Sequence, residues 1–302
     1  MGGCRNCGSL DVRELGFVGQ LAPFFLKRVL NVELRERASV HPVKQWIRRL
    51  AGPGRKVFSK VYGESAFVEM QVCNSCSFVQ VKHAFSEDAI ARLYLDYRTD
   101  FYNEERFKYE PAYREIADRV GTDSTEVQVR VTTATEWLAD KIQLSDDFTM
   151  LDYGGADGRF LPHLAAKKFV YELSNIEPIP GITRIRHEAD LGSYSYIHLA
   201  HVLEHVSDPL KLVKHIAGYL KPGGYFYIEV PQEMSDSQLR SLQEGTYTSN
   251  IPVHEHINVY SPSALALLVE NANLELLAAK ANPVDLGWAQ GVHLRALGRK
   301  FS

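Results

Sequence analysis

Apolar and polar positions along the chain fall into two regimes, which change over near residue 147. Beyond it, apolar blocks at 148–152, 168–173, 194–200, 225–231 and 292–299 alternate with more polar stretches, which predicts a series of strands with helices or loops between them. Helices are expected at 159–168, from Ser207-Asp-Pro209 to residue 220, and from near Ser261. The last two open on a serine with a proline close behind, a pairing that favours a helix start. Lys221-Pro-Gly-Gly224 reads as a sharp break before the strand at 225. The span between 173 and 194 is short, so a connection lacking its helix is expected there. Strands that alternate with helices point to a mainly parallel sheet and an α/β domain.

Before residue 147 the pattern is more broken. Residues 67–72 and 77–81 alternate as the two strands of a hairpin. Helical spacing is seen at 21–36 and 43–50, ended by Gly52-Pro-Gly54. A helix at 86–95 has Ser86 as its N-cap and acids in its first turn. Residues 106–120 and 133–142 read as two more helices, separated by the polar run from Gly121 to Ser124. Three consecutive segments are therefore expected, at 1–85, 86–146 and 147–302.

The turn that leaves the apolar block at 148–152 carries the most chemistry. Asp152, Gly154, Gly155, Ala156 and Gly158 give it an acid-x-Gly-x-small-x-Gly form, with Gly155 an extra glycine inside it. Glycine sits where a ligand must touch main chain, since it has no Cβ in the way. The spacing is not the G-x-G-x-x-G of a dinucleotide site, because Ala156 and Asp157 stand two residues after Gly154 and Gly155. Ala156 fits the pattern if its φ stays negative. A helix at 159–168 would point its free N–H groups at the turn. At the end of the second strand, an acid can accept hydrogen bonds from a ribose. Glu172 suits strand logic and Glu177 suits spacing, nineteen residues after Gly158. Asp190, before the next strand, is a candidate for an adenine amino group.

Four cysteines add a second kind of chemistry at the start of the chain. Cys4, Cys7, Cys73 and Cys76 form two Cys-x-x-Cys pairs with none left over, a donor set that closes a tetrahedral thiolate site around structural Zn2+. Reduced thiols or redox chemistry are the alternative. Between the pairs, residues 26–60 hold ten Lys or Arg against two Glu. That basic insertion is either a solvated helical surface or a contact for phosphates. Over the whole chain of 302 residues the net charge is only −3, and 45% of residues are hydrophobic. Nothing global draws it to nucleic acid or membrane, no apolar run suggests a membrane helix or a signal peptide, and a cytoplasmic protein is expected. The stretch 94–106 is dense in aromatics, and Tyr102 within it is a candidate for packing on a cofactor. Imidazoles gather at His201 and His205 after the strand at 194–200, and at His254-Glu255-His256, where a carboxylate beside a histidine can tune its basicity. His254-x-His256 by itself lacks a third compact metal ligand.

The run His201-Val-Leu-Glu-His205-Val-x-Asp-Pro209, followed by Leu-Lys-Pro-Gly-Gly224 and an apolar strand ending in Pro231, resembles the class I S-adenosylmethionine (SAM) methyltransferases, as does the turn from Asp152 to Gly158. With the two Cys-x-x-Cys pairs, the tyrosine-rich stretch and the His-Glu-His segment, nearly the whole chain resembles the zinc-binding C-methyltransferases of nucleotide-linked deoxysugars. The resemblance implies an α/β, Rossmann-like methyltransferase sheet with helices on both faces, preceded by a small zinc-binding domain with a helical insertion. It implies SAM as cofactor, held by Asp152, Gly154, Gly155, Ala156, Gly158, Glu172 and Asp190, with His201 and Tyr102 nearby. It implies His256 as the base that removes a proton next to a keto group, with Glu255 beside it and His205 in support, and a small-molecule acceptor that is a sugar nucleotide. The family's further C-terminal domain has no expected counterpart after the strand at 292–299. An O- or N-methyltransferase of a glycan or natural product, and a binding module of the same fold without turnover, are the other readings.

Overall fold

The computed structural model describes residues 3–32, 60–62 and 65–302. Their elements, in chain order, are β1 (Val12–Leu21), α1 (Pro23–Leu30), β2 (Lys60–Tyr62), β3 (Ser65–Cys73), β4 (Val79–Val81), α2 (Glu87–Leu93), α3 (Asp100–Tyr109), α4 (Ser124–Leu138), β5 (Thr149–Tyr153), β6 (Lys167–Tyr171) and β7 (Ile182–Ile185). Then come β8 (Tyr194–Ala200), α5 (Pro209–Ala217), β9 (Leu220–Pro231), α6 (Asp236–Glu244), β10 (Ile251–Val253), β11 (Asn258–Val259), α7 (Pro262–Asn271), β12 (Leu274–Asp285) and β13 (Gln290–Lys300). The chain divides into two compact units. One holds Met1–Ala117, Glu204–Ser207 and Met234–Val259, the other Asp118–Leu203, Asp208–Glu233 and Tyr260–Ser302. The expected segments cut across these units. Residues 86–117 join the first because its helices share a core, where the Phe24 ring of α1 meets Tyr102 of α3 edge-on at 5.2 Å.

The first unit is built on a sheet of order β10-β1-β3-β4-β11, with β2 added on β3. The hairpin expected at 67–72 and 77–81 is β3 and β4. Strand β1 gave no alternating signal, and its register explains why: the pairing with β3 slips between Glu14 and Gly16 and again between Gly16 and Gly19, so no period of two survives. The helix expected at 21–36 is the shorter α1. Proline at its first position starts it after Ala22, and Asn31, left-handed at φ 51°, ends it. Most of the basic insertion and the helix expected at 43–50 lie outside the described residues. Ser86 caps α2 as expected, accepting from the Ala89 amide.

The second unit is a seven-stranded sheet of order β12-β13-β9-β8-β5-β6-β7. Its central strands pair in parallel and β13 runs antiparallel between β9 and β12. Helices cover both faces. Leu297 of β13 joins Ala134 and Leu138 of α4 in one core, while on the opposite face the next residue, Gly298, lies so close to Val269 of α7 that a Cβ there would stand 2.7 Å from it. The α/β, Rossmann-like reading is thus borne out, including the helix-free connection from β6 to β8, which holds only β7 and a 3-10 turn at Glu188–Asp190.

Three expected helices differ from those that form. The one at 106–120 breaks because Pro111 cannot continue α3, so a 3-10 turn at Pro111–Glu115 comes next instead. The one at 133–142 begins earlier, as α4, where the Asp123 side chain accepts from the amides of Thr125 and Glu126. The one at 159–168 does not form: residues 159–166 hold turns and bends. Pro162 falls four residues into that span, where it removes a helical donor, and β6 already claims Lys167 and Lys168 for its pairing with β5.

Candidate functional site

Strands β5 and β8 lie side by side although β6 and β7 intervene in sequence, so the chain order reverses on either side of them. The ends of neighbouring parallel strands at such a reversal form the crevice where α/β sheets bind ligands. The glycine turn leaves β5 at this point. Gly154 (φ 74°) and Gly158 (φ 80°) take conformations that cost a side chain dearly. Gly155 is needed for space: a Cβ there would sit 1.9 Å from Cγ of Asp152. Ala156 has φ 53°, contrary to the negative value its side chain called for. A left-handed alanine costs about 1–2 kcal/mol, and the amide it presents donates to Glu172 Oε2 at 3.0 Å.

The acids divide by burial. Asp152 is 1% exposed, and burial pushes its carboxyl up to about 8 despite the pull of Arg130. Asp157, also buried, takes Nε of Arg159 on both its oxygens at 2.9 and 2.8 Å. Glu172 is pinned by two amides, from Ala156 and from Ser174 (2.8 Å). Glu177 lies on the surface, paired with Arg184 and Arg186. The structure thus brings Glu172, not Glu177, to the glycine turn. Asp190 is exposed at the close of its 3-10 turn. Tyr102, by contrast, is fully buried in the first unit, where its hydroxyl accepts from Arg106; packing accounts for its ring.

A charged cluster with little trace in the sequence fills the core of the second unit. Glu229 of β9, 2% exposed, accepts from Arg130 Nε at 3.1 Å, from Arg295 Nε at 2.8 Å and from the Tyr227 hydroxyl at 2.8 Å. Burial raises its pKa, but Arg130 and the neighbouring imidazoles outweigh that and hold it well below the usual carboxylate range. His201 and His293 each place a ring nitrogen 3.4 Å from Glu229 Oε1. Burial, with Arg130 adding to it, drives His201 down to about 3, so its imidazole is neutral. The available signal was a lone carboxylate inside the apolar run 225–231.

In the first unit the four cysteines meet. The Sγ atoms lie within 4.8 Å of one another, with Cys4 and Cys76 3.7 Å apart and Cys7 and Cys73 3.6 Å apart. A tetrahedral site with metal–sulfur bonds of about 2.3 Å has edges of about 3.8 Å, so the set fits zinc. Each knuckle closes on a left-handed residue after its second cysteine, Gly8 at φ 77° and Ser77 at φ 59°. A hydrogen bond from Cys76 lowers the Cys4 thiol to about 5, while burial lifts Cys7 to about 11. A dication bound there would displace the thiol protons.

A second cluster of the same unit gathers the histidines. Glu204, His205 and His256 each bring a donor atom within 4.8 Å of the others'. Glu204 is 1% exposed and its Oε1 lies 3.7 Å from His205 Nε2. The His205 and His256 rings meet edge-on at 4.7 Å. On the far side of His205, Nδ1 is 2.6 Å from the Tyr94 hydroxyl and 3.3 Å from the Glu255 carbonyl oxygen. The Glu255 carboxylate is turned to Arg106, which also donates to Glu110 at 2.9 Å. His254 is exposed. Of the expected residues His256 and His205 are thus brought together. Glu204 and Tyr94 are partners that sequence reasoning missed, the first hidden within a motif and the second among many tyrosines.

A family model described as a methyltransferase domain matches residues 102–279, more than half of the chain. Among curated relatives, the ubiquinone biosynthesis O-methyltransferase of Albidiferax ferrireducens is 28% identical over 88 residues, covering 28% of this chain and 35% of that protein. Its counterpart in Coxiella burnetii is 28% identical over 115 residues, 37% of this chain and 45% of that protein. The matches thus span less than half the length of these relatives. Solved structures that are similar include a 1,6-didemethyltoxoflavin-N1-methyltransferase of Burkholderia thailandensis with bound 1,6-didemethyltoxoflavin and S-adenosylhomocysteine (TM-score 0.47, 16% identity, 74% of this chain and 96% of that one). Another is a methyltransferase of Thermotoga maritima (TM-score 0.43, 16% identity, 65% and 97%).

Proposed function

Because the chain belongs to the methyltransferase-domain family, we propose that it moves a methyl group from SAM to an oxygen or carbon of a small-molecule acceptor, with His256 as general base. The observation that carries this reading is the glycine turn. Glycine stands at 154, 155 and 158, and the turn is tightly folded: a Cβ on Gly155 would overlap Asp152 and one on Gly158 would stand 2.6 Å from Ile182. A nucleoside can lie against such a backbone, and Glu172, already fixed to the Ala156 amide, is the acid to accept its ribose hydroxyls. Asp152 supports the turn from beneath, and the exposed Asp190 is the acid left to meet the base. When bound, the donor supplies a methyl group activated by positive charge. The chain's own part is to align the acceptor, exclude water and take a proton. His256 suits the last task because it is only partly buried and has a buried carboxylate, Glu204, within its cluster.

The paired cysteine knuckles and the His-Glu-His segment favour a keto sugar linked to a nucleotide, methylated on carbon; the names of the relatives favour oxygen. Incubation with 13C-methyl SAM and panels of keto-sugar nucleotides and hydroxyl-bearing small molecules, read by NMR, separates the two by the shift of the new methyl. No measurable SAM affinity by calorimetry would favour a binding module without turnover and sink the proposal.

Zinc at Cys4, Cys7, Cys73 and Cys76 is the second part of the reading. Four protein donors leave no open position, so its role is structural. Replacing Cys73 by Ser is expected to remove one equivalent of zinc and to lower the melting temperature markedly. Unchanged metal content by elemental analysis would count against it.

A further inference from the structure

We infer that Glu204, His205 and His256 form a second metal site, for a divalent transition ion such as Zn2+ or Co2+. Two imidazoles and one carboxylate are the donor set such ions prefer, while Mg2+ and Ca2+ favour oxygen alone. The three donors are within 4.8 Å of one another. Bonds of about 2.0–2.2 Å place ligands of a tetrahedral ion about 3.3 Å apart. The 3.7 Å between His205 Nε2 and Glu204 Oε1 therefore needs a contraction of only a few tenths of an ångström. The supporting contacts are also in place. A metal-bound histidine usually holds its other ring nitrogen on a fixed partner, which sets tautomer and ring angle. His205 does this: Nδ1 faces the Glu255 carbonyl, which can only accept, and the Tyr94 hydroxyl. With its proton on Nδ1, given to that carbonyl, His205 turns the Nε2 lone pair toward Glu204. Three ligands leave a position open, and His205 and His256 are only partly buried, so an ion can enter.

His201, Glu229 and His293 are grouped as tightly, but Glu229 is already neutralised by two guanidinium groups, Arg130 and Arg295. A dication there would face two fixed positive charges.

Ligation of His256 uses the lone pair that proton removal needs, so metal occupancy and turnover exclude each other. This consequence rests on the proposed function; the site itself does not. Equilibrium dialysis against Zn2+ and Co2+, with metal measured per chain, tests the site without any activity. The wild-type protein is expected to hold one equivalent more than His256→Gln or Glu204→Gln, whatever the cysteines bind. In the Co2+ titration that equivalent should show ligand-field bands without thiolate charge transfer. In the methyl-transfer assay it should suppress turnover, reversibly with a mild chelator. Equal stoichiometry in the wild type and His256→Gln, or a wild-type Co2+ spectrum with thiolate signals only, overturns the proposal.

Discussion

His256→Asn is expected to lower kcat by about 10²–10⁴-fold, the usual worth of a positioned general base, while SAM affinity stays within about twofold of wild type. Asparagine keeps much of the shape and hydrogen bonding of the imidazole but cannot carry off a proton. The binding half of the expectation follows from the roles proposed: the glycine turn and Glu172 hold the nucleoside, whereas His256 takes a proton from the acceptor. Calorimetry with SAM and steady-state kinetics on the same preparation read the two halves separately. Undiminished kcat would remove His256 from the role of base. Loss of SAM binding together with kcat would make it a structural residue.

The largest effect on stability is expected at Glu229. Its carboxylate is the shared partner of Arg130, Arg295 and Tyr227. Glu229→Leu takes the carboxylate from the buried Arg295 and leaves Arg130 to Glu126, which it also meets at 3.3 Å; breaking a buried pair in this way typically costs about 3–5 kcal/mol. For a unit of this size that corresponds to a fall in Tm of about 10 °C or more. The pH dependence has a definite sign. The folded-state pKa lies well below the ordinary 4.5, so this carboxylate's stabilisation is present above that value and is lost as pH falls toward the folded-state pKa. Wild type should therefore lose stability on acidification where Glu229→Leu, already without the charge, shows a shallower slope. Thermal melts from neutral pH downward check both. A melting temperature within about 2 °C of wild type at neutral pH would mean that the arginines find other partners and that the network carries little.

The legibility of each element in the residues depends on how local its signal is. Apolar blocks gave β5, β8 and β9 because strands covered on both faces read as near-continuous apolar runs, and gave β6 and β13 through their buried stretches, 170–171 and 293–298. Caps gave α2 and α7, since Ser86 and Ser261 act on amides a few residues away, whereas α5, expected to open on Ser207, is capped by Asp208. The bulges of β1 and the β6 pairing that takes up Lys167 and Lys168 depend on partners distant in sequence, and neither leaves a local trace. The candidate residues show the same division. The cysteines declared themselves by spacing alone. Glu172 and Glu177 could be separated only when the Ala156 amide was seen to reach one of them. Arg130 and Arg295, which meet Glu229 from α4 and β13, carry no mark in a linear sequence beyond being charged where their neighbours are not.

The turns and bends at 159–166 bear on which ligands the crevice accepts. A helix begun there would have offered an array of unpaired amides, the arrangement that draws phosphates. In its place stand Asp157, Glu172 and the buried Asp152, with Arg159 committed to the first of these. A phosphate therefore finds no helix dipole at this bend, and with Asp152 raised to about 8 by burial and Asp157 held by Arg159, Glu172 is the acid left beside the turn.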